Sequence, residues 1–207
     1  MAQMYKVFVN QKEVILTTEP PEKAKVLPLK DTSLSKITRI LRETKLKQLY
    51  LIHHNPDKLL SLFKKKLPVT IAAGGVVFNE ENKLLFILRK KKWDLPKGRV
   101  EPKESLEKGG KREVKEETGV KKLKVGELAG VTYHIFKRNN RYQLKETHWF
   151  YMNTDYQGDL MPEAKEDITK AVWKGRRKAE KALKKTHPNI ARLFEKTSLL
   201  KSISEKE

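Results

Sequence analysis

The sequence predicts an α/β fold in two parts, and three observations lead there. Period-two apolar stretches alternate with stretches whose apolar residues recur at three and four, so strands and helices are interleaved. The signals change character at Leu67-Pro68, just after Lys64-Lys65-Lys66. Beyond that point a loop-helix-loop segment, Gly98 to Val120, interrupts a series of apolar strands. The predicted division is a small α/β module over residues 1–66 and a larger α/β domain over residues 67–207.

In the first part, "MYKVFVNQKEVILTT" reads as a hairpin turning at Asn10-Gln11. A polar, proline-bearing stretch and the short apolar run "KVLPL" follow. "TSLSKITRILRETK" carries Leu34, Ile37, Ile40 and Leu41 at helical spacing. "KQLYLIHH" reads as a strand, and "NPDKLLSLFKKK" as a helix with Asn55 at the N-cap and Pro56 at its first position. In the second part, "VTIAAGGVVF" and "KLLFILRK" are apolar strands joined by a polar turn. "KKWDLPKGRVEPKE" reads as a loop, and a helix runs from Ser105 to Glu117. "GVTYHIF" and "YQLKETHWFYM" are strands around "KRNNR". "ITKAVWK" is a further strand, followed by a basic helix through Lys184-Lys185. His187-Pro188 ends that helix, and "NIARLFEK" forms a last one before a fraying tail.

Composition narrows the function classes. The formal net charge is +20, which implies attraction to polyanions such as phosphorylated metabolites or nucleic acid. Without a cysteine there is neither a disulfide nor a thiolate metal site. No apolar run approaches the roughly 20 residues that span a bilayer, and the N-terminus lacks a signal peptide's apolar block. The expectation is a soluble, cytoplasmic protein with no membrane partner.

"REVKEETGV", Arg112 to Val120, crowds Glu113, Glu116 and Glu117 together in a lysine-rich chain. On a helical wheel Leu106, Gly110 and Val114 form the apolar stripe. Glu117 falls inside that stripe, Glu113 borders it and Glu116 lies on the next face. Half-burying like charges is costly unless something neutralises them. Lys111 and Lys115 aim toward the opposite face, whereas a divalent cation would answer all three acids. Oxygen ligands of this kind suit Mg²⁺ or Mn²⁺.

Read outward, "GRVEPKESLEKGGKREVKEETGV" resembles the Nudix box, with Gly98, Glu104, Arg112, Glu113, Val114, Glu116, Glu117, Gly119 and Val120 all in place. Seven fixed residues at about 6% each coincide by chance on the order of once in 10⁹ starting points. The resemblance implies a Nudix α/β/α sandwich with a mixed sheet, preceded here by the small module. It also implies a metal-dependent pyrophosphohydrolase cleaving a nucleoside diphosphate linked to another group. By that carry-over Glu113, Glu116 and Glu117 are metal ligands, joined by the backbone carbonyl of Lys97. Glu116, Glu117 and Arg112 belong to the catalytic group, with Arg112 and Glu104 paired to orient the helix. Gly98 allows close backbone approach, and Gly119 suits the left-handed residue that ends the helix. The resemblance also implies a further acid on a later loop. Glu163, Glu166 and Asp167 are available there, and Glu166 has the best spacing for a general base. Gly109 and Gly110 stand where the family commonly has alanine. Each costs about 1 kcal/mol in a helix, which points to close packing on the sheet or to a neutral change.

The "WDLPKG" form ahead of the box looks most like the branch acting on diadenosine and diphosphoinositol polyphosphates. Arg89, Lys90, Lys91, Lys92, Lys97 and Arg99 cluster there as candidate phosphate binders, and His148 is a further candidate on a later strand. The expected partner is a phosphorylated small molecule. Alternatives are ADP-ribose or another nucleotide sugar, an RNA 5′ end, and a non-catalytic ligand sensor or nucleic-acid binder. Trp93 reads either as a base-stacking residue or as packing. The module over residues 1–66 has no catalytic motif, leaving dimerisation, covering of the active site or substrate recognition as its candidate roles.

Overall fold

A computed structural model describes residues 4–204 and divides the chain into two compact units. One comprises Met1–Thr70 and Tyr133–Glu146, the other Ile71–Thr132 and Thr147–Glu207.

The first unit opens with the antiparallel hairpin of β1 (Met4–Val9) and β2 (Lys12–Thr17), turning at Asn10, whose φ is 56°. β3 (Val26–Pro28), α1 (Leu34–Glu43), β4 (Gln48–Ile52) and α2 (Lys58–Lys64) follow. β4 runs parallel to both β2 and β3. α1 starts where Ser33 accepts a hydrogen bond from the Lys36 N–H at 3.2 Å. α2 starts later than its sequence suggests. Asn55 accepts instead from the Asp57 N–H at 2.9 Å, a local turn that holds residues 55–57 outside the helix. Val7, Val14, Leu16, Ile37, Leu41, Leu49, Leu51, Leu59 and Phe63 are buried here. The unit also takes in the turn end of the long strands β9 (Lys124–Arg138) and β10 (Arg141–Thr154). Val7 to Val9 of β1 pair in parallel with Tyr133 to Ile135 of β9, which draws this hairpin end in. Its turn residues, Asn139 and Asn140, both have positive φ.

The second unit is built on β5 (Val69–Asn79), β6 (Leu84–Arg89), β11 (Ile168–Lys174) and the rest of β9 and β10. The strand order is β11-β6-β5-β10-β9. The stretch before the box, read as a loop, instead carries two short strands. β7 (Lys92–Asp94) pairs with β6, and β8 (Lys97–Arg99) pairs with β5. Lys90 and Lys91, both at positive φ, turn the chain back at that point.

Alternation gives this sheet two apolar faces. One holds Ala73, Val77, Leu85, Phe150 and Met152 against Val114 of α3 (Leu106–Thr118). The other holds Val76, Phe86 and Trp149 against Ala179 and Ala182 of α4 (Arg176–Leu183) and Ile190 and Phe194 of α5 (Pro188–Thr197). This is the α/β/α sandwich the box implies. A Cβ on Gly110 would stand 3.3 Å from the Gly74 backbone N, so α3 packs closely on β5 at that glycine. The expected fraying tail is ordered through residue 204: Leu199 and Ile203 are buried in the α4/α5 core, and residues 205–207 lie outside the described part. Among the described residues no helix is long and apolar enough to cross a membrane.

Candidate active site

The site is assembled on α3. Ser105 caps it, accepting from the Lys108 N–H at 3.3 Å. Gly119, at φ 71°, ends it in the left-handed region, where a Cβ would be strained. The burial gradient along α3 follows the wheel: Glu117 is 2% exposed, Glu113 is half-buried and Glu116 is exposed.

The protein's own cations answer these acids, more fully than the sequence suggests. Arg112 donates to both carboxylate oxygens of Glu104, at 3.1 and 3.0 Å, as expected. Its Nη1 also donates to Glu113 at 2.9 Å and to Glu116 at 2.8 Å, and its Nη2 to the Arg99 carbonyl at 2.9 Å. One guanidinium thus ties the box loop to two of the helix acids, and these bonds raise its pKa above the ordinary arginine value. Burial pushes the Glu113 carboxyl up, Arg112 pulls it down, and the charges of Glu116 and Glu166 push it up again, leaving it raised. Gly98 lies directly against that carboxylate, since a Cβ there would fall 1.9 Å from a Glu113 oxygen.

Glu117 is the most constrained acid. Its Oε2 accepts the Lys97 N–H at 2.9 Å, and its Oε1 lies 4.0 Å from Arg89. Burial pushes its pKa up to about 7, against the lowering effect of Lys97 and Arg89. The Lys97 side chain does not join an exposed basic cluster. Its ammonium is buried 2.8 Å from Asp94, and Asp94 and Glu117 together outweigh the burial that would depress it. Asp94 is a neighbour of the candidate site that sequence reasoning missed, although its i,i+3 spacing from Lys97 was visible.

The later loop is tied to the end of α3. The Met161 N–H donates to the Thr118 carbonyl at 2.8 Å, and the Glu163 N–H to the Glu117 carbonyl at 3.2 Å. A short 3₁₀ turn, Ala164–Glu166, then brings Glu166 within 2.6 Å of Arg89. Lys90 faces Asp167 at 3.3 Å, a pairing the sequence did not suggest. Arg89 and Lys90, expected to face phosphate, are therefore engaged by loop acids. Arg99 is exposed, and its carbonyl is the group that Arg112 uses. His148 is half-buried on the β10 face shared with Phe150, the face that α3 covers.

Glu113, Glu116, Glu117 and Glu166 are linked through Arg112 and Arg89, yet no three His, Cys, Asp or Glu side chains among the described residues converge on one point as an ion would require. Guanidinium groups stand between them. In kind the donor set fits a hard divalent cation, being all oxygen. Two of its members, Glu113 and Glu117, have pKa values raised chiefly by burial, which Arg112 beside the one and Lys97 and Arg89 beside the other offset only in part.

Comparison with known proteins agrees with this geometry. The family model of the NUDIX domain matches residues 68–196. The chain is 50% identical over 52 residues to a putative 8-oxo-dGTP diphosphatase of Bacillus subtilis (strain 168), covering 24% of this chain and 35% of that protein. It is 44% identical over 64 residues to a MutT-like protein of Streptomyces ambofaciens, covering 30% and 41%. The matched stretches thus span only about a third to two fifths of these curated relatives. Among solved structures, the MutT protein of Methanosarcina mazei Go1 superposes with a TM-score of 0.50 at 25% identity, over 64% of this chain and 95% of that one. With the family match covering more than half of its length and the box acids placed on one helix against the sheet, the chain belongs to the Nudix domain family.

Proposed function

We propose that the protein is a divalent-metal-dependent pyrophosphohydrolase that cleaves a nucleoside diphosphate linked to another group, with a polyphosphorylated nucleotide such as a diadenosine polyphosphate as the favoured substrate. The observation that carries the reading is Glu117: a carboxylate 2% exposed, with its pKa pushed to about 7, on a helix that also presents Glu113 and Glu116. A buried acid of that kind is costly to the fold, and a role in holding cationic charge accounts for keeping it.

Glu113, Glu116, Glu117 and the Lys97 carbonyl are the groups that would hold Mg²⁺ or Mn²⁺. When bound, such an ion neutralises charge on the anhydride and lowers the pKa of water. The chain's own residues supply the rest. Glu166 accepts the proton of the attacking water as oxygen adds to phosphorus. The anhydride P–O bond breaks, and the leaving phosphate takes the electron pair. Arg89, within reach of both Glu117 and Glu166, moves its charge onto substrate phosphate as Glu166 turns to its base role. Arg112 holds the helix and the box loop in register through Glu104 and the Arg99 carbonyl.

The 50% identity to a putative 8-oxo-dGTP diphosphatase favours a second reading, hydrolysis of nucleoside triphosphates. Turnover of diadenosine tetraphosphate, 8-oxo-dGTP, dATP and ADP-ribose with Mg²⁺ separates the two. The first reading expects the highest kcat/KM for diadenosine tetraphosphate. Preference for a triphosphate selects the second, and no turnover of any of them overturns both.

A further inference from the structure

The candidate catalytic acids use one face of the second unit's sheet, and the opposite face carries a feature they leave untouched. Ile87 of β6 pairs with Asp94 of β7, and Leu88 pairs with both Trp93 and Lys170 of β11. Cross-strand partners share a face. Asp94 therefore points to the α3 side with Ile87, and Trp93 points to the α4/α5 side with Leu88. There Trp93 meets Phe86 edge-on, with ring centroids 6.5 Å apart. Its backbone is fixed by the chain after α4: its N–H donates to the Lys185 carbonyl at 3.1 Å, and its carbonyl accepts from the Thr186 hydroxyl at 2.6 Å.

Around this indole lies a cavity of about 430 Å³ walled by Lys174, Lys178, Lys181, Lys184 and Lys185. The Lys174 ammonium sits 3.7 Å from the indole centroid. Every charged group in the wall is a cation. Among the described residues none of the five ammonium groups has a carboxylate within 4.0 Å, and the acid of α4, Glu180, pairs with Arg176 at 3.4 Å. The fold does not require this arrangement, because α4 packs through Ala179 and Ala182. Like charges at helical spacing destabilise the helix that carries them. Burial and the charges of Lys178 and Lys170 lower the pKa of Lys174, so the cations are crowded as well as unanswered. A lysine face kept only for solubility would need neither the concavity nor an indole in its wall.

We propose that this cavity is a second anion site, on the sheet face opposite the catalytic acids, and that it takes a compact oligophosphate, free or at the end of a larger molecule. Shape selects the compact ligand. α4 has eight residues, about 12 Å of helix, so a nucleic-acid strand would leave the patch after a few phosphates. A short chain of linked phosphates places all its charge within reach of the five lysines. This proposal rests on the cavity alone and does not depend on the catalytic reading.

The test is a titration of the ¹⁵N-labelled full chain with inorganic tripolyphosphate in excess chelator, following the tryptophan indole resonances. The Trp93 signal is identified by its loss in Trp93→Phe. The expected result is a saturable shift of that signal. Affinity should fall at least ~10-fold in Lys178→Glu/Lys181→Glu and in the milder Lys178→Gln/Lys181→Gln, since charge-assisted bonds are lost. Lys23→Glu/Lys45→Glu, at exposed lysines of the other unit, should stay within about twofold. An unmoved Trp93 signal, or equal losses in the two Glu variants, overturns the site. So does a single-stranded oligonucleotide lacking terminal phosphate that binds the cavity more tightly than tripolyphosphate does.

Discussion

Replacing Glu117 with glutamine should make the metal-free protein more stable while removing its activity. The carboxylate is 2% exposed, and its pKa moves from the ordinary 4.5 to about 7. Each pKa unit is worth about 1.4 kcal/mol, so ionised Glu117 costs the fold about 3 kcal/mol above neutral pH. The sign follows from proton counting. Between about pH 4.5 and 7 the folded state holds a proton that the unfolded state has released, so this contribution falls as pH rises through that window and is flat above it. Glutamine keeps the shape and an oxygen for the Lys97 N–H, 2.9 Å away in the parent, but carries no charge. The value of about 7 already includes the attraction of Lys97 and Arg89, and the buried glutamine amide must find a partner of its own, so about 3 kcal/mol is an upper bound on the gain. At roughly 2–4 °C per kcal/mol for a chain of this size, the variant should melt several degrees higher at about pH 8 in chelator. The advantage should shrink toward zero near pH 4.5. Added Mg²⁺ should raise the parent's melting temperature more than the variant's. Calorimetry across pH, with and without chelator, reads all three effects. A variant that melts lower than the parent at pH 8, or retains full hydrolytic activity, would refute the reasoning.

Three further outcomes are expected. Glu166→Gln should lower kcat by roughly 10²–10⁴ with little change in KM, whereas Glu163→Gln should be mild; a crippled Glu163→Gln would reassign the base. Lys90→Glu/Lys91→Glu should weaken diadenosine tetraphosphate more than ADP-ribose, by an amount that shrinks in high salt, and equal effects on both would remove these lysines from phosphate binding. Gly98→Ala places a Cβ on the Glu113 carboxylate, whose flexible side chain can move aside. It should therefore reduce metal affinity in a Mn²⁺ titration while leaving the melting temperature within a few degrees, and unchanged affinity would mean that Glu113 is not a ligand.

Much of the site was legible because it is local in sequence. The exposure order Glu116, Glu113, Glu117 follows from 100° per residue on one helix, and the Arg112–Glu104 pair from the box spacing. The long-range pairs were not legible. Arg89 meets Glu166 across 77 residues, and Lys90 meets Asp167, because β11 lies beside β6, an adjacency that neither strand's sequence states. The Lys97 side chain looked like one more surface cation, and only the β7–β8 turn shows that Asp94 takes it inside. Short strands hide easily: three residues each in β7 and β8 give no period to read, and the lysines, Gly98 and the intervening Pro96 suggested a loop. The turn end of β9 and β10 reads as part of the second domain by sequence proximity, and only the parallel pairing of β1 with Tyr133 to Ile135 groups it with the first unit.

The most direct test of the account is the initial rate of diadenosine tetraphosphate hydrolysis measured against free Mg²⁺, with phosphorus products followed in ¹⁸O-labelled water. The rate should saturate with Mg²⁺ and vanish in excess chelator, and one ¹⁸O should appear on a single product phosphate. A rate independent of metal, or label absent from phosphorus, would contradict metal-dependent hydrolysis at phosphorus.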